Sequence, residues 1–317
     1  MKHTLILAFS AFAALAPAHA QTKLVVGQAA ATAASWPEYI ARDQGYFAAE
    51  KLEVRTELVG NVAAIAQQTV GGSLEIGHTT FEMVIQAVES ANAPISLIGS
   101  TTIKYPYTMM SAKNVKTAAD LKGKKVAISR LGASSDIAAT YVLRHLGLKR
   151  TDVVILQLGG EGTRTAAMLS GQIDGSLEQE PRTAELEEKG FHVLVDGLDI
   201  AVDYPNTSYV STRAFIAKNP DVVKRFLMGI SDGIHAFKTN KPEAMKLTSA
   251  FLKTPEGPAL AEAYDIFTKK VYPDIPRPSL KGIGLVLAEL ATKVPAASKF
   301  KPEQLVYTTP LDQLEKE

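Results

Sequence analysis

The stretch Asp120-Leu121-Lys122-Gly123-Lys124-Lys125-Val126-Ala127-Ile128-Ser129-Arg130-Leu131-Gly132-Ala133-Ser134-Ser135-Asp136 admits few folds. Lys122-Gly123-Lys124 reads as a turn, and Val126, Ala127 and Ile128 as a short buried strand. Gly132 to Asp136 then supplies small and polar residues where a helix begins. That helix carries Ile137, Ala138, Tyr141, Val142 and Leu146 at core-facing spacing. A helix start offers unpaired N–H donors and the positive end of the helix dipole, which suit an anion or a polar group. The unit predicts a seat for a small molecule at the end of a buried strand, used for binding rather than chemistry.

The same rhythm runs through the rest of the chain. Strands are expected at 24–27, 52–58, 74–77 and 95–102, with helices at 37–44, 65–70 and 81–89 between them. A second series begins near Ala118, with strands at 126–129, 153–157, 173–177 and 193–195 and helices at 135–146, 163–170 and 181–188. Such alternation implies largely parallel sheets covered by helices. Tyr209-Val210-Ser211 reads as a strand returning to the first series. From Pro220 onward the pattern is mostly helical, with Val222, Val223, Phe226, Leu227 and Ile230 on one face. The expectation is two α/β lobes: a first of residues 21–107 and 205–317, and a second of residues 108–204 inserted into it. Two crossings, about Ile103–Ser111 and Asp203–Tyr209, would form a hinge beside a cleft. Clefts at the carboxyl ends of such strands are where open α/β sheets bind ligands.

Residues 1–20 read as a secretory signal: Lys2 and His3, an apolar run from Leu5 to Leu15, and Ala18-His19-Ala20 before a cut after Ala20. No later stretch approaches the roughly 18 consecutive apolar residues that a membrane span needs. Without the signal, one lysine is lost from the 34 basic residues, leaving 33 against 33 acidic ones. A neutral chain argues against a nucleic-acid partner. There is no cysteine, which removes disulfides, thiolate metal sites, a Cys nucleophile and a lipidated anchor. No metal or cofactor is expected, and a periplasmic location fits best. About 300 mature residues make two domains the natural division.

Several segments resemble the ABC-transporter substrate-binding proteins of the nitrate/sulfonate/taurine and thiamine-precursor group. They are Lys116 to Ser129, Ile40-Ala41-Arg42-Asp43-Gln44-Gly45-Tyr46-Phe47, Gly72 to Gly77, Gly159 to Arg164, Met168 to Gly175, and the Glu178-Gln179-Glu180-Pro181 step. They stand in the family's order over nearly the whole mature chain. The resemblance implies a periplasmic-binding-protein fold of type II, two lobes closing on one ligand like a venus flytrap. It also implies a monomer that docks on permease transmembrane subunits served by a cytoplasmic ATPase. It leaves the solute open among sulfonates, carboxylates and heterocyclic precursors.

Four loops should meet in the cleft. Trp36, the only tryptophan, either stacks a ligand or packs the lobe. Thr79 and Thr80 either contact a ligand or cap the following helix. In the third loop, Ser134 and Ser135 are the best placed for ligand hydrogen bonds. Arg130 either clamps an acidic group or is a solvated or interlobe charge, and Asp136 caps its helix. In the fourth, Arg164 meets an anion or Glu161, and Glu180 meets a ligand donor or bridges the lobes. Tyr105, Tyr107, Tyr204 and Tyr209 flank the crossings as hinge packing, with Tyr209 also able to line the cleft. The competing classes are a thiamine-pyrimidine synthase on the same fold, disfavoured by the missing cysteine, and a periplasmic sensing subunit. H-E-x-x-H does not occur.

Overall fold

Two five-stranded sheets organise the chain. The computed structural model describes residues 21–29, 32–91, 95–200, 203–253, 255–292 and 294–315; the segment read as a signal lies outside them. The first run comprises β1 (Thr22–Gln28), α1 (Trp36–Asp43), α2 (Tyr46–Ala49), β2 (Leu52–Leu58), α3 (Val62–Val70), β3 (Ile76–Thr80), α4 (Phe81–Ala91) and β4 (Ile95–Lys104). The chain then crosses to the second lobe, with β5 (Thr108–Ser111), β6 (Lys125–Ile128), α5 (Ser134–His145), β7 (Val154–Gln157), α6 (Glu161–Leu169), β8 (Gly175–Glu178), α7 (Arg182–Glu188) and β9 (His192–Asp196). It returns through β10 (Asp203–Thr212) to α8 (Arg213–Lys218), α9 (Pro220–Thr239), α10 (Lys241–Leu252), α11 (Pro258–Ile266), α12 (Leu280–Ala291) and α13 (Thr309–Leu314).

The strand orders are β2-β1-β3-β10-β4 and β7-β6-β8-β5-β9. Each sheet is parallel except for one strand, β10 in the first and β5 in the second, which runs antiparallel to both neighbours. In each lobe the odd strand is the one that arrives directly from the other lobe. That corrects the expected first crossing, because Thr108–Ser111 is a buried sheet strand and only 105–107 connects the lobes. The second passage likewise includes 197–200, before β10 begins. β3 starts two residues later than its apolar run because Glu75 is diverted: its Oε2 accepts from Val25 N at 2.8 Å, and pairing with β1 includes Val26 opposite Ile76.

The two passages are fastened to each other. Gly197 N donates to Tyr107 O at 2.9 Å, the Tyr105 and Tyr204 rings stack with centroids 4.0 Å apart, and Lys104 pairs with Asp203 at 2.7 Å. The core of the first lobe lies under α9, where Pro220 starts the helix and Val222, Val223, Phe226, Leu227, Ile230, Ile234 and Phe237 are buried along one stripe. Each such side chain contributes roughly 1.5–3 kcal/mol by leaving water. A second apolar cluster runs through the hinge side of both lobes, joining Phe81 and Val84 of α4 to Ile137 and Val142 of α5 and Ile283 of α12.

A methyl group on Gly197 would lie 2.2 Å from Tyr107 O and 3.0 Å from Tyr105 O, main-chain atoms that cannot swing aside. Gly197→Ala should cost about 1–3 kcal/mol, as overpacking does. Gly284→Ala, inside α12 with only Pro302 Cγ at 3.7 Å, should be neutral or gain up to about 1 kcal/mol. Urea midpoints of the two variants check this, and equal midpoints would refute it.

Candidate ligand-binding site

The carboxyl ends of both sheets face one another, and helices α1, α4, α5 and α6 begin there. β3 runs into α4 without an intervening residue, so the first turn of α4 projects straight at the second lobe. Three of its side chains reach the loop before α5. Ser134 Oγ donates to Glu82 Oε2 at 3.3 Å, Gln86 Nε2 donates to Gly132 O at 3.1 Å, and Arg130 Nη2 contacts Met83 Sδ. Glu82 is completely buried. Burial pushes its carboxyl up to about 7, further than its own main-chain N–H, the hydroxyls of Thr80 and Ser134, and Arg130 pull it down.

The second lobe holds its own buried carboxyl. Glu178, at the end of β8, accepts from the hydroxyls of Ser176 and Thr165 and lies 3.6 Å from Arg164 Nε. Burial raises it in spite of Arg164, and Glu161 adds to the rise. Arg164 is itself buried, its terminal nitrogens donating to Gly159 O and Leu177 O, each at 2.7 Å. Tyr107, on the first passage, sits in the fields of Glu161, Arg164 and Glu82, and so ties the two lobes' charges together. Where the lobes touch beyond this point a cavity of about 10 Å³ remains between Thr108, Glu180 and Asp196 on one side and Phe267 and Val271 on the other. That is room for one water at most. A larger open groove, about 780 Å³ and lined by Arg213, Phe300 and Tyr307, lies at the opposite, amino end of β4, away from the cleft.

The structure sorts the residues singled out in the sequence. Ser134 faces the opposite lobe. Ser135 instead braces its loop, accepting from Ser129 N at 2.9 Å and bonding Ser129 Oγ at 2.7 Å. Thr80 sets its hydroxyl beside the Glu82 carboxyl, whereas Thr79 Oγ1 donates to Val62 O at 3.0 Å. Trp36 packs the lobe: it is fully buried against Phe237 and Phe267, one ring behind the cleft wall. Tyr209 is also core, stacked on His78 at 4.3 Å with its hydroxyl donating to Glu38 Oε2 at 3.1 Å. Asp136 pairs with Arg150 and accepts from Gly132 N at 2.9 Å. Arg164 is bound to main chain and Glu178, and Glu180 borders the small cavity. The sequence reading missed Glu82, Gln86 and Asp196, and took Tyr107 only as hinge packing. An acidic residue in a first helical turn already has a local explanation in the helix dipole, so nothing in the sequence set Glu82 apart.

The NMT1/THI5-like family description matches residues 33–244. The chain belongs to that family. A protein of Brucella abortus (strain 2308), which carries only a provisional binding-protein name, is 27% identical over 229 residues, covering 71% of this chain and 70% of its own. The riboflavin-binding protein RibY of Chloroflexus aurantiacus is 25% identical over 223 residues, covering 68% and 62%. Among solved structures, the periplasmic aliphatic sulphonate binding protein SsuA of Escherichia coli superimposes with a TM-score of 0.75 at 23% identity, covering 90% of this chain and 92% of its own. The fold is therefore that of the periplasmic binding proteins, as the two-lobed expectation had it.

A carboxyl raised from 4.5 to about 7 stabilises the folded state fully below pH 4.5 and loses that contribution as pH rises through 7. His78 is pushed down to about 3 by burial, so its effect has the opposite sign, a loss of stability as pH falls below 6.5. The wild type minus Glu82→Gln difference isolates the carboxyl. That difference should shift against the wild type by roughly 2–3 kcal/mol between pH 4.5 and 7. Parallel stability–pH curves would refute the assignment.

Proposed function

We propose that this protein is the solute-binding component of an ABC importer, capturing a small organic molecule between its lobes and delivering it to permease transmembrane subunits with a cytoplasmic ATPase. The observation that carries this reading is the meeting of Glu82 and Ser134 across the cleft, a completely buried carboxyl of one lobe against a helix start of the other. The lobes move as units about 105–107 and 197–200, and closure completes the docking surface. The protein acts as a periplasmic monomer, exported by residues 1–20. No helix among the described residues is long and apolar enough to cross a membrane.

Capture without chemistry is supported by the side chains present. The chain has no cysteine, so a thiolate nucleophile is not available. The Ser35–His78 approach at 3.5 Å resembles a nucleophile and base, but Ser35 and His78 are both buried in the first lobe, where His78 also meets Thr101 Oγ1 at 3.4 Å. Relatives in the family include 4-amino-5-hydroxymethyl-2-methylpyrimidine phosphate synthases, so this remains a reading of the residues of this chain.

Closure is directly measurable because added cysteines will be the only ones. Leu58 and Leu131 are exposed, one on each lobe. A Leu58→Cys/Leu131→Cys protein carrying a dye pair should show open and closed populations by single-molecule transfer. Ethanesulfonate, riboflavin or the hydroxymethylpyrimidine should shift them toward the closed one, since a ligand favours the state it binds better. Adding Ser134→Ala should weaken that shift about fivefold to tenfold in ligand concentration. One rigid population with all three compounds would overturn the reading.

A further inference from the structure

The first lobe has a second concave face that the cleft does not use. It lies at the amino end of β4, whereas the lobes meet at the carboxyl ends of the strands. β4 is an edge strand, and after α12 the chain comes back to that edge. Leu97 N donates to Leu305 O at 2.8 Å and Leu97 O accepts from Tyr307 N at 2.7 Å, so Val306 lies beside β4 as a single parallel bridge. That register turns the N–H and C=O of Val306 itself away from β4, and among the described residues neither has a hydrogen-bond partner. The other wall includes Ile216 of α8 and Pro220 at the start of α9. The groove encloses about 780 Å³, within the roughly 300–1,000 Å³ of small-molecule sites.

Its lining is apolar and basic and contains no acidic side chain. Phe300 and Tyr307 supply two aromatic rings, and Arg213 and Lys299 two positive charges. Arg213 is held in place, its Nε donating to Ser96 Oγ at 3.3 Å and its Nη2 to Gln304 O at 2.7 Å. Both acceptors are neutral, so the charge stays uncompensated. Among the described residues neither Arg213 nor Lys299 pairs with a carboxylate. Other arginines of this lobe do pair: Arg277 with Asp312 and Glu315, and Arg225 with Asp221, which follows the groove's Pro220. Glu303 precedes Gln304 in the chain but is not part of the lining.

We infer that this groove is a second binding site, whose ligand is an aromatic carboxylate. The acid head accepts from Arg213, Lys299 and the Val306 N–H in charge-assisted bonds. The ring lies against Phe300 and Tyr307, which prefer offset or edge contacts with another ring. The site is separate from the interlobe cleft and does not depend on capture there.

2-Naphthoate and its uncharged twin 2-naphthamide test this on the chain from Gln21, by calorimetry and thermal shift. The acid should bind and raise Tm, and the amide should bind about tenfold more weakly or less. Raising sodium chloride from about 20 mM to about 500 mM should weaken the acid severalfold and leave the amide unchanged. Arg213→Gln should weaken the acid about tenfold and Lys299→Gln about threefold, with unchanged circular dichroism. Ser134→Ala, which weakens capture in the cleft, should leave naphthoate affinity unaltered. If Arg213→Gln does not fold, Lys299→Gln, at an exposed position, carries the comparison. No binding of the acid, equal binding of acid and amide, or unaltered affinity in the folded groove variants overturns the site. A loss confined to Ser134→Ala puts the compound in the cleft, which overturns the groove site and leaves the capture reading standing.

Discussion

Everything about the cleft depends on two short passages of chain held side by side. Gly197 lies against Tyr107, and Tyr105 lies face to face with Tyr204. Each passage delivers one antiparallel strand into the middle of the opposite sheet, so each lobe is locked together by a strand arriving from the other. Extracting either strand would break ladder bonds on both its sides, which makes the lobes firm. The residues between them, 105–107 and 197–200, belong to no strand. A firm body on each side of a pliable joint is what interlobe capture requires.

The cleft chemistry follows from that geometry. Because β3 leads directly into α4, the first turn of α4 has no loop in which to turn away, and Glu82 is carried into the second lobe's face. Burial there costs more than two hydroxyls, a main-chain N–H and one neighbouring arginine return, so the carboxyl is raised. Glu178 reaches a like condition from β8, restrained by Arg164. Each lobe thus carries one buried, raised carboxyl near the carboxyl end of a strand.

Local pattern made the α/β alternation legible, because buried strands flanked by glycine turns and amphipathic helices leave periodic traces. It also marked the loop at Ser134, where small residues open a helix. Other features left no such trace. Trp36 and Tyr209 read equally well as ligand contacts or core, and only the rings of Phe237, Phe267 and His78 around them assign them to packing. Arg164 reads as an anion partner until Gly159 O and Leu177 O are seen to occupy its guanidinium. Thr108–Ser111 was taken for a connection because four buried residues without alternation do not announce a strand.

The sequence by itself determined the class of fold, the neutral and cysteine-free chemistry and the ends of strands at which a ligand should sit. These depend on composition and on contacts between near neighbours. Tertiary structure alone decided which side chains face across the cleft and which charges remain unpaired. Glu82 and Ser134 stand 52 positions apart and meet only where the two sheets come together. The protonation of a carboxyl in that place is set by the water it loses there, a property that no residue carries in its own sequence neighbourhood.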